Sequence, residues 1–162
     1  MVRHAKSSWD VPDISDFDRP LNERGKRDAP RMAKRLKEKR VNPDLMLSSP
    51  AKRALSTSKR FAEVLGYGKE RIKTERSLYH ADEDEILSVI RRVKDKHNVL
   101  MVFGHNPGLT EFVNQLCKED NFIGNVPTSG VVSFNFKVEH WRDIDFGKGQ
   151  FLFFDFPKSR ED

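Results

Sequence analysis

The chain has 162 residues, enough for one domain with an ordinary core. Its 30 basic and 25 acidic residues are interleaved and leave a net charge of +5. No apolar stretch is long enough to span a bilayer, no signal-peptide pattern opens the chain, and one cysteine, Cys117, excludes an intramolecular disulfide. A cytoplasmic protein with no membrane and no nucleic-acid partner is the expectation, because neither an aromatic-plus-basic platform nor zinc-finger spacing occurs.

The elements read as β-α-β-α with a hairpin at the end. Only Met1 and Val2 precede Arg3, so the first strand is very short. Trp9 to Arg19 is an acidic loop carrying Asp10, Asp13, Asp16 and Asp18, with Pro12 and Pro20 as breakers. Asn22 is a predicted N-cap for a helix running to about Lys39. Pro30 lacks an N–H and clashes with the preceding turn, so a kink or break is expected near Asp28. The basic run from Arg24 to Arg40 is either a solvated helix face or a docking surface for an acidic partner.

Leu45 to Leu47 forms a short buried strand. Ser49 is then expected to cap a helix with Pro50 at its first position, closed by Gly66. Residues 72–74 read as an edge strand. Asp82 and Asp84 open a helix with apolar positions Ile86, Leu87, Val89, Ile90 and Val93. Val99 to Phe103 is a continuous apolar run, as in a central parallel strand. A helix over Leu109 to Leu116 follows, with Cys117 expected as an inert core thiol. Val132 to Val138 alternates apolar and polar, and Gln150 to Phe156 pairs with it. The fold class is α/β, a mostly parallel sheet between helices with a C-terminal antiparallel hairpin. A single domain is expected over residues 1–162.

Three strand exits carry basic groups: Arg3-His4, Ser48-Ser49-Pro50 leading to Arg53, and Gly104-His105. In an open α/β sheet, ligands bind outside the carboxyl ends of strands. Two arginines and two histidines at one edge suit a tetrahedral dianion, such as a phosphoryl group. His4 is the candidate nucleophile: a neutral imidazole attacks through one nitrogen while a backbone carbonyl fixes the proton on the other. Neighbouring guanidinium groups disfavour the imidazolium. Arg3 and Arg53 offer planar forks matched to phosphate oxygens. His105 is placed to donate to the phosphoryl group in the transition state. Taken singly, each residue also has a structural reading as a hydrogen-bonded or surface side chain.

Arg3-His4-Ala5-Lys6-Ser7-Ser8-Trp9 resembles the signature of the histidine phosphatase superfamily, which includes the cofactor-dependent phosphoglycerate mutases. Three further stretches match: Arg19-Pro20-Leu21-Asn22-Glu23-Arg24-Gly25, Ser48-Ser49-Pro50-Ala51-Lys52-Arg53-Ala54, and Gly104-His105-Asn106-Pro107. Order and spacing are most similar to the SixA-like phosphohistidine phosphatases. The resemblance implies a three-layer α/β/α sandwich without a large cap insertion, no metal and no cofactor. It implies that His4 becomes phosphorylated, with Arg3, Arg53 and His105 completing the phosphate pocket. It places Ser7 as a substrate contact or a loop-turn residue. It places Arg19 by the cleft, or as a surface residue tied to the acidic loop.

The chain departs from the family at Ala5, where glycine is usual. It departs again between Arg53 and His105, where many members supply a carboxylic acid. Here Leu78 to Asp84 offers only His80 and Asp82 as candidates. A phosphoramidate tolerates this gap better than an ordinary ester, because an already protonated imidazole leaves easily. The expected partner is therefore a phosphorylated protein, including a histidine-phosphotransfer domain. The rivals are a phosphatase or mutase for small phosphate esters, a phosphate-recognising module with little turnover, and a metallohydrolase using His4, His80 and His105.

Overall fold

The computed structural model describes residues 1–117 and 121–160. In chain order it places β1 at Val2–Arg3, α1 at Glu23–Glu38, β2 at Leu45–Ser48, α2 at Lys52–Leu65, β3 at Lys73–Thr74 and α3 at Glu83–Arg91. Then follow β4 at Leu100–Gly104, α4 at Gly108–Leu116, β5 at Val131–Asn135 and β6 at Gln150–Asp155. Among the described residues these strands form one sheet in the order β3-β2-β4-β1-β5-β6. The pairs β3–β2, β2–β4 and β4–β1 are parallel, while β1–β5 and β5–β6 are antiparallel. This is the phosphoglycerate mutase-like arrangement, with its antiparallel hairpin at the C-terminal end.

Alternation along the strands explains the layers. In β4, Met101 and Phe103 join a core with Met32, Met46 and Phe61, from β2, α1 and α2. Val102 faces the other way and packs with Leu47, Ile86, Phe112 and Val113, from β2, α3 and α4. Successive side chains of a strand point to opposite faces, so a strand covered on both sides reads as unbroken apolar sequence. β1 pairs with β4 through just Val2↔Phe103 and Arg3↔Gly104, and with β5 through Val2↔Val131. Below it, at the N-terminal ends of the parallel strands, lies a cavity of about 490 Å³ lined by Met1, Val102, Val132 and Phe134 among others. The Met1 ammonium donates to the Val132 carbonyl at 2.8 Å there.

Four local expectations are corrected. α1 runs unbroken through Pro30. An internal proline costs a helix about 3 kcal/mol, but Ala29, Met32, Ala33 and Leu36 are all buried on the face that packs on the sheet. Tertiary burial overrides the local penalty. α2 begins at Lys52 with Ala51 as its N-cap and no side-chain cap, because the Ser49 hydroxyl is engaged elsewhere. β5 stops at Asn135, after a register shift between Ser133 and Phe134, although Phe136 and Val138 still pack on the core. Cys117 is half-buried, and desolvation raises its thiol pKa.

None of the described helices is long and apolar enough to cross a membrane.

Candidate active site

β1, β2 and β4 end at the same edge of the sheet and release Arg3-His4, Ser48-Ser49 and Gly104-His105 side by side. The His4 N–H donates to the Gly104 carbonyl, and the Ser49 N–H donates to the Phe103 carbonyl. These bonds lock the three exits together. The His4 and His105 ring centroids are 5.2 Å apart. His4, Arg53 and His105 are buried, and the Arg3 Nε is fully enclosed.

His4 Nδ1 lies 2.8 Å from the Ala5 carbonyl. A carbonyl only accepts, so the proton sits on Nδ1 and Nε2 keeps its lone pair. Burial lowers the His4 pKa to about 4, and the charges of Arg53, Arg3 and Arg19 add to that against the Ala5 bond. Burial likewise lowers His105 to about 3, with further contributions from His4 and Arg53. Both rings are neutral at pH 7. Ala5 holds this corner in place: its own N–H donates to Thr57 Oγ1 on α2.

His105 Nε2 is 2.7 Å from Ser49 Oγ. That hydroxyl oxygen also accepts from the Ala51 N–H. If the Ser49 hydroxyl donates to Nε2, the His105 proton is on Nδ1. His105 Nδ1, Arg3 Nε and Arg53 Nε are buried and without a hydrogen-bond partner among the described residues. Buried polar groups are nearly always paired. Three orphans of this kind, two of them fixed donors on cations, describe a seat for an anion with several oxygens.

The 125–130 loop closes one side. Its Val126 carbonyl accepts from Arg3 Nη1 and from Asn106 Nδ2. Ser129, at φ +62°, shares its N–H between the Arg3 and His4 carbonyls, and its buried hydroxyl is also unpartnered.

On the opposite side, the acidic loop folds over the site. Arg19 Nη1 donates to Ser7 Oγ, and the guanidinium lies 3.6 Å from the Trp9 ring. Arg19 is therefore both beside the cleft and tied to the loop. Asp16, in a short helical turn at Asp16–Asp18, accepts from Arg19 Nε, Arg53 Nη2 and the Tyr79 hydroxyl. Its main-chain carbonyl accepts from Arg53 Nη1 at 2.7 Å. Desolvation pushes the Asp16 carboxyl up, but the bonds from Tyr79 and Arg19 and the charge of Arg53 hold it well below the ordinary carboxylate range.

Of the two acid candidates, Asp82 is spent as the N-cap of α3, where it forms a capping box with Glu85. His80 is exposed, has φ +58°, and its ring lies 4.0 Å from that of Tyr79. Asp16, Tyr79, Ser49 and Ser129 are site residues that the sequence reading did not single out. Ser49 read as a cap and Asp16 as one of four loop aspartates. Tyr79 lies in the same segment as the acid candidates His80 and Asp82. Among the described residues no group of three or more His, Cys, Asp or Glu is placed to hold a metal ion.

The sequence profile of the histidine phosphatase superfamily (branch 1) matches residues 1–82, which contain Arg3-His4 and Arg53. The chain belongs to the histidine phosphatase superfamily. An uncharacterised protein of Mycobacterium tuberculosis is 31% identical over 97% of this chain and 100% of its own length. An uncharacterised chloroplastic protein of Arabidopsis thaliana is 32% identical over 72% of this chain, which spans 57% of that protein's length. A crystal structure from Agrobacterium tumefaciens, assigned as the phosphohistidine phosphatase SixA, matches with a TM-score of 0.81 and 29% identity. That match covers 96% of this chain and 95% of the other. Within the histidine phosphatase superfamily, the fold is structurally close to SixA.

Proposed function

We propose that this chain is a metal-independent phosphatase that removes the phosphoryl group from phosphohistidine on a protein, through a phospho-His4 intermediate. One observation carries the reading. A neutral His4, with Nδ1 fixed on the Ala5 carbonyl, sits beside three buried unpartnered nitrogens, Arg3 Nε, Arg53 Nε and His105 Nδ1. The likeness to SixA supports the same reading.

In the first step His4 Nε2 forms a bond to phosphorus as the bond to the leaving group breaks and takes its electron pair. The two guanidinium groups neutralise the phosphoryl oxygens. His105, kept in its Nδ1–H form by Ser49, donates to an oxygen as charge spreads. In the second step water attacks phosphorus, gives up one proton to solvent, and the P–Nε2 bond pair returns to His4. The ring enters and leaves the cycle neutral, so it needs no base. The site lies at the sheet edge, with Asp16 and His80 exposed at its mouth. An open mouth admits a side chain presented by a protein.

Phosphate release from a phosphohistidine-bearing protein, wild type against His4→Ala with a chelator present, tests this. Release by wild type alone is expected. Equal release by folded His4→Ala overturns the mechanism, and no release by either overturns the substrate.

A further inference from the structure

Neither carboxylate beside the site is free to act as a general acid in the ordinary way. Asp82 is a helix cap, and Asp16 is held ionised by its three donors. Yet Asp16 is the carboxylate nearest the reacting groups. It is bonded to Arg53, and its side chain is 42% exposed where that of Arg53 is 6% exposed. It therefore stands on the outer side of the phosphate seat. In an in-line displacement by His4 from within, the leaving group departs on that outer side.

A carboxylate has about four acceptor positions. Three are taken: Oδ2 by Arg53 and Tyr79, Oδ1 by Arg19. One on Oδ1 remains. Next to it, Tyr79 forms a wall of rings, 5.2 Å from Phe17, 4.0 Å from His80 and 5.6 Å from His105 between centroids. A flat ring seated on this wall has a carboxylate at its edge.

Resting on the phosphohistidine reading above, we propose that Asp16 is the specificity-determining residue for the leaving group: its carboxylate accepts the distal N–H of the substrate imidazole and so selects leaving groups that depart as neutral rings still carrying that N–H. The chemistry balances without an acid. The substrate ring is phosphorylated on one nitrogen and protonated on the other. His4 Nε2 bonds to phosphorus, the P–N bond breaks, and its pair returns to the substrate nitrogen. The substrate ring leaves neutral, still carrying its distal proton on Asp16. His4 becomes the phosphorylated ring, still carrying its own distal proton on the Ala5 carbonyl. The two rings exchange a phosphoryl group, and neither distal proton moves. The same fixed negative charge opposes an alkoxide or a carboxylate-bearing leaving group, which explains how one residue both favours phosphoramidates and disfavours small anionic esters.

The test is the ratio of kcat/KM for phosphoimidazole to that for 4-nitrophenyl phosphate, in wild type and Asp16→Asn. A hydrogen bond to a charged partner is worth on the order of tenfold or more in rate, so the ratio should fall at least about tenfold. An unchanged ratio, or loss of both activities together, assigns Asp16 to holding Arg53 and overturns the proposal. A second arm needs no variant. With wild type, at a pH where phosphoimidazole is protonated, 1-methyl-3-phosphoimidazolium keeps the ring charge and lacks the N–H. It should react at least about tenfold more slowly relative to phosphoimidazole than the two do with free imidazole as nucleophile. Parity overturns the hydrogen bond. If wild type cleaves 4-nitrophenyl phosphate and neither phosphoramidate, the phosphohistidine reading itself fails. If it cleaves phosphoimidazole and the ratio is insensitive to Asp16, only this inference fails.

Discussion

The His4 and His105 rings face each other at 5.2 Å, tilted by 51°, and each is backed by a different oxygen: the Ala5 carbonyl for His4 and the Ser49 hydroxyl for His105. Those two oxygens assign opposite tasks to two chemically identical rings. A carbonyl can only accept, which leaves His4 with a free lone pair. A hydroxyl that donates leaves His105 with a free N–H.

This pairing makes Ser49 a positioning residue. Ser49→Ala should reduce kcat about tenfold with a smaller change in KM, since it removes the partner of a buried ring nitrogen. Ser49→Thr should recover part of the loss. Steady-state kinetics of the two variants decide it, and equal values for Ala and Thr would count against the hydroxyl.

The pH dependence follows from the depressed imidazoles. His4 has a folded pKa of about 4, and the ordinary value is 6.5. Between those values the unfolded chain binds more protons than the folded one, so stability is complete above pH 6.5 and is lost as pH falls toward 4. His105, at about 3, acts in the same direction. Urea denaturation at pH 7, 5 and 4 should show this loss. The acid limb of kcat/KM, corrected for substrate ionisation, should lie near pH 4.

Arg35 is the largest fully buried side chain on α1. It donates to Asp155 Oδ1 at 3.0 Å and to the carbonyls of Phe156, Pro157 and Arg160, pinning the segment after β6 against the helix. Arg35→Ala leaves Asp155 without that cation, and breaking a buried pair from one side costs roughly 3–5 kcal/mol. The free energy of unfolding in urea should fall by that order, while kcat/KM of the folded fraction changes little.

The exposed Lys34 and Lys37 stand near the C-terminal end of α1, which runs back from the site toward the N-terminal ends of the parallel strands. Lys52 instead lies next to Arg53 at the start of α2. Charge reversal at Lys34 and Lys37 should leave kcat/KM for an acidic phosphoprotein unchanged. Lys52→Glu should lower it several-fold, with a weaker salt dependence, since steering depends on charge close to the mouth. Rates measured across ionic strength separate the two.

The sequence by itself determined the layers of this protein and the inner site. The apolar run that becomes Leu100 to Phe103 of β4 reads as a strand covered on both faces, and a basic residue straight after a strand must emerge at the sheet edge. Arg3, His4, Arg53 and His105 were legible because each lies at the end of a strand or within five residues of it. The course of α1 through Pro30 was not, because burial of Met32 and Leu36 outweighs a local penalty that sequence shows in isolation. Only the tertiary structure decided which of four loop aspartates reaches Arg53, that Ser49 serves His105 rather than a helix end, and that Tyr79 spans both. Those contacts join residues 37 to 63 positions apart. Side-chain periodicity reports which face of its own element a residue occupies, and the partner waiting on another element is set only when the chain packs.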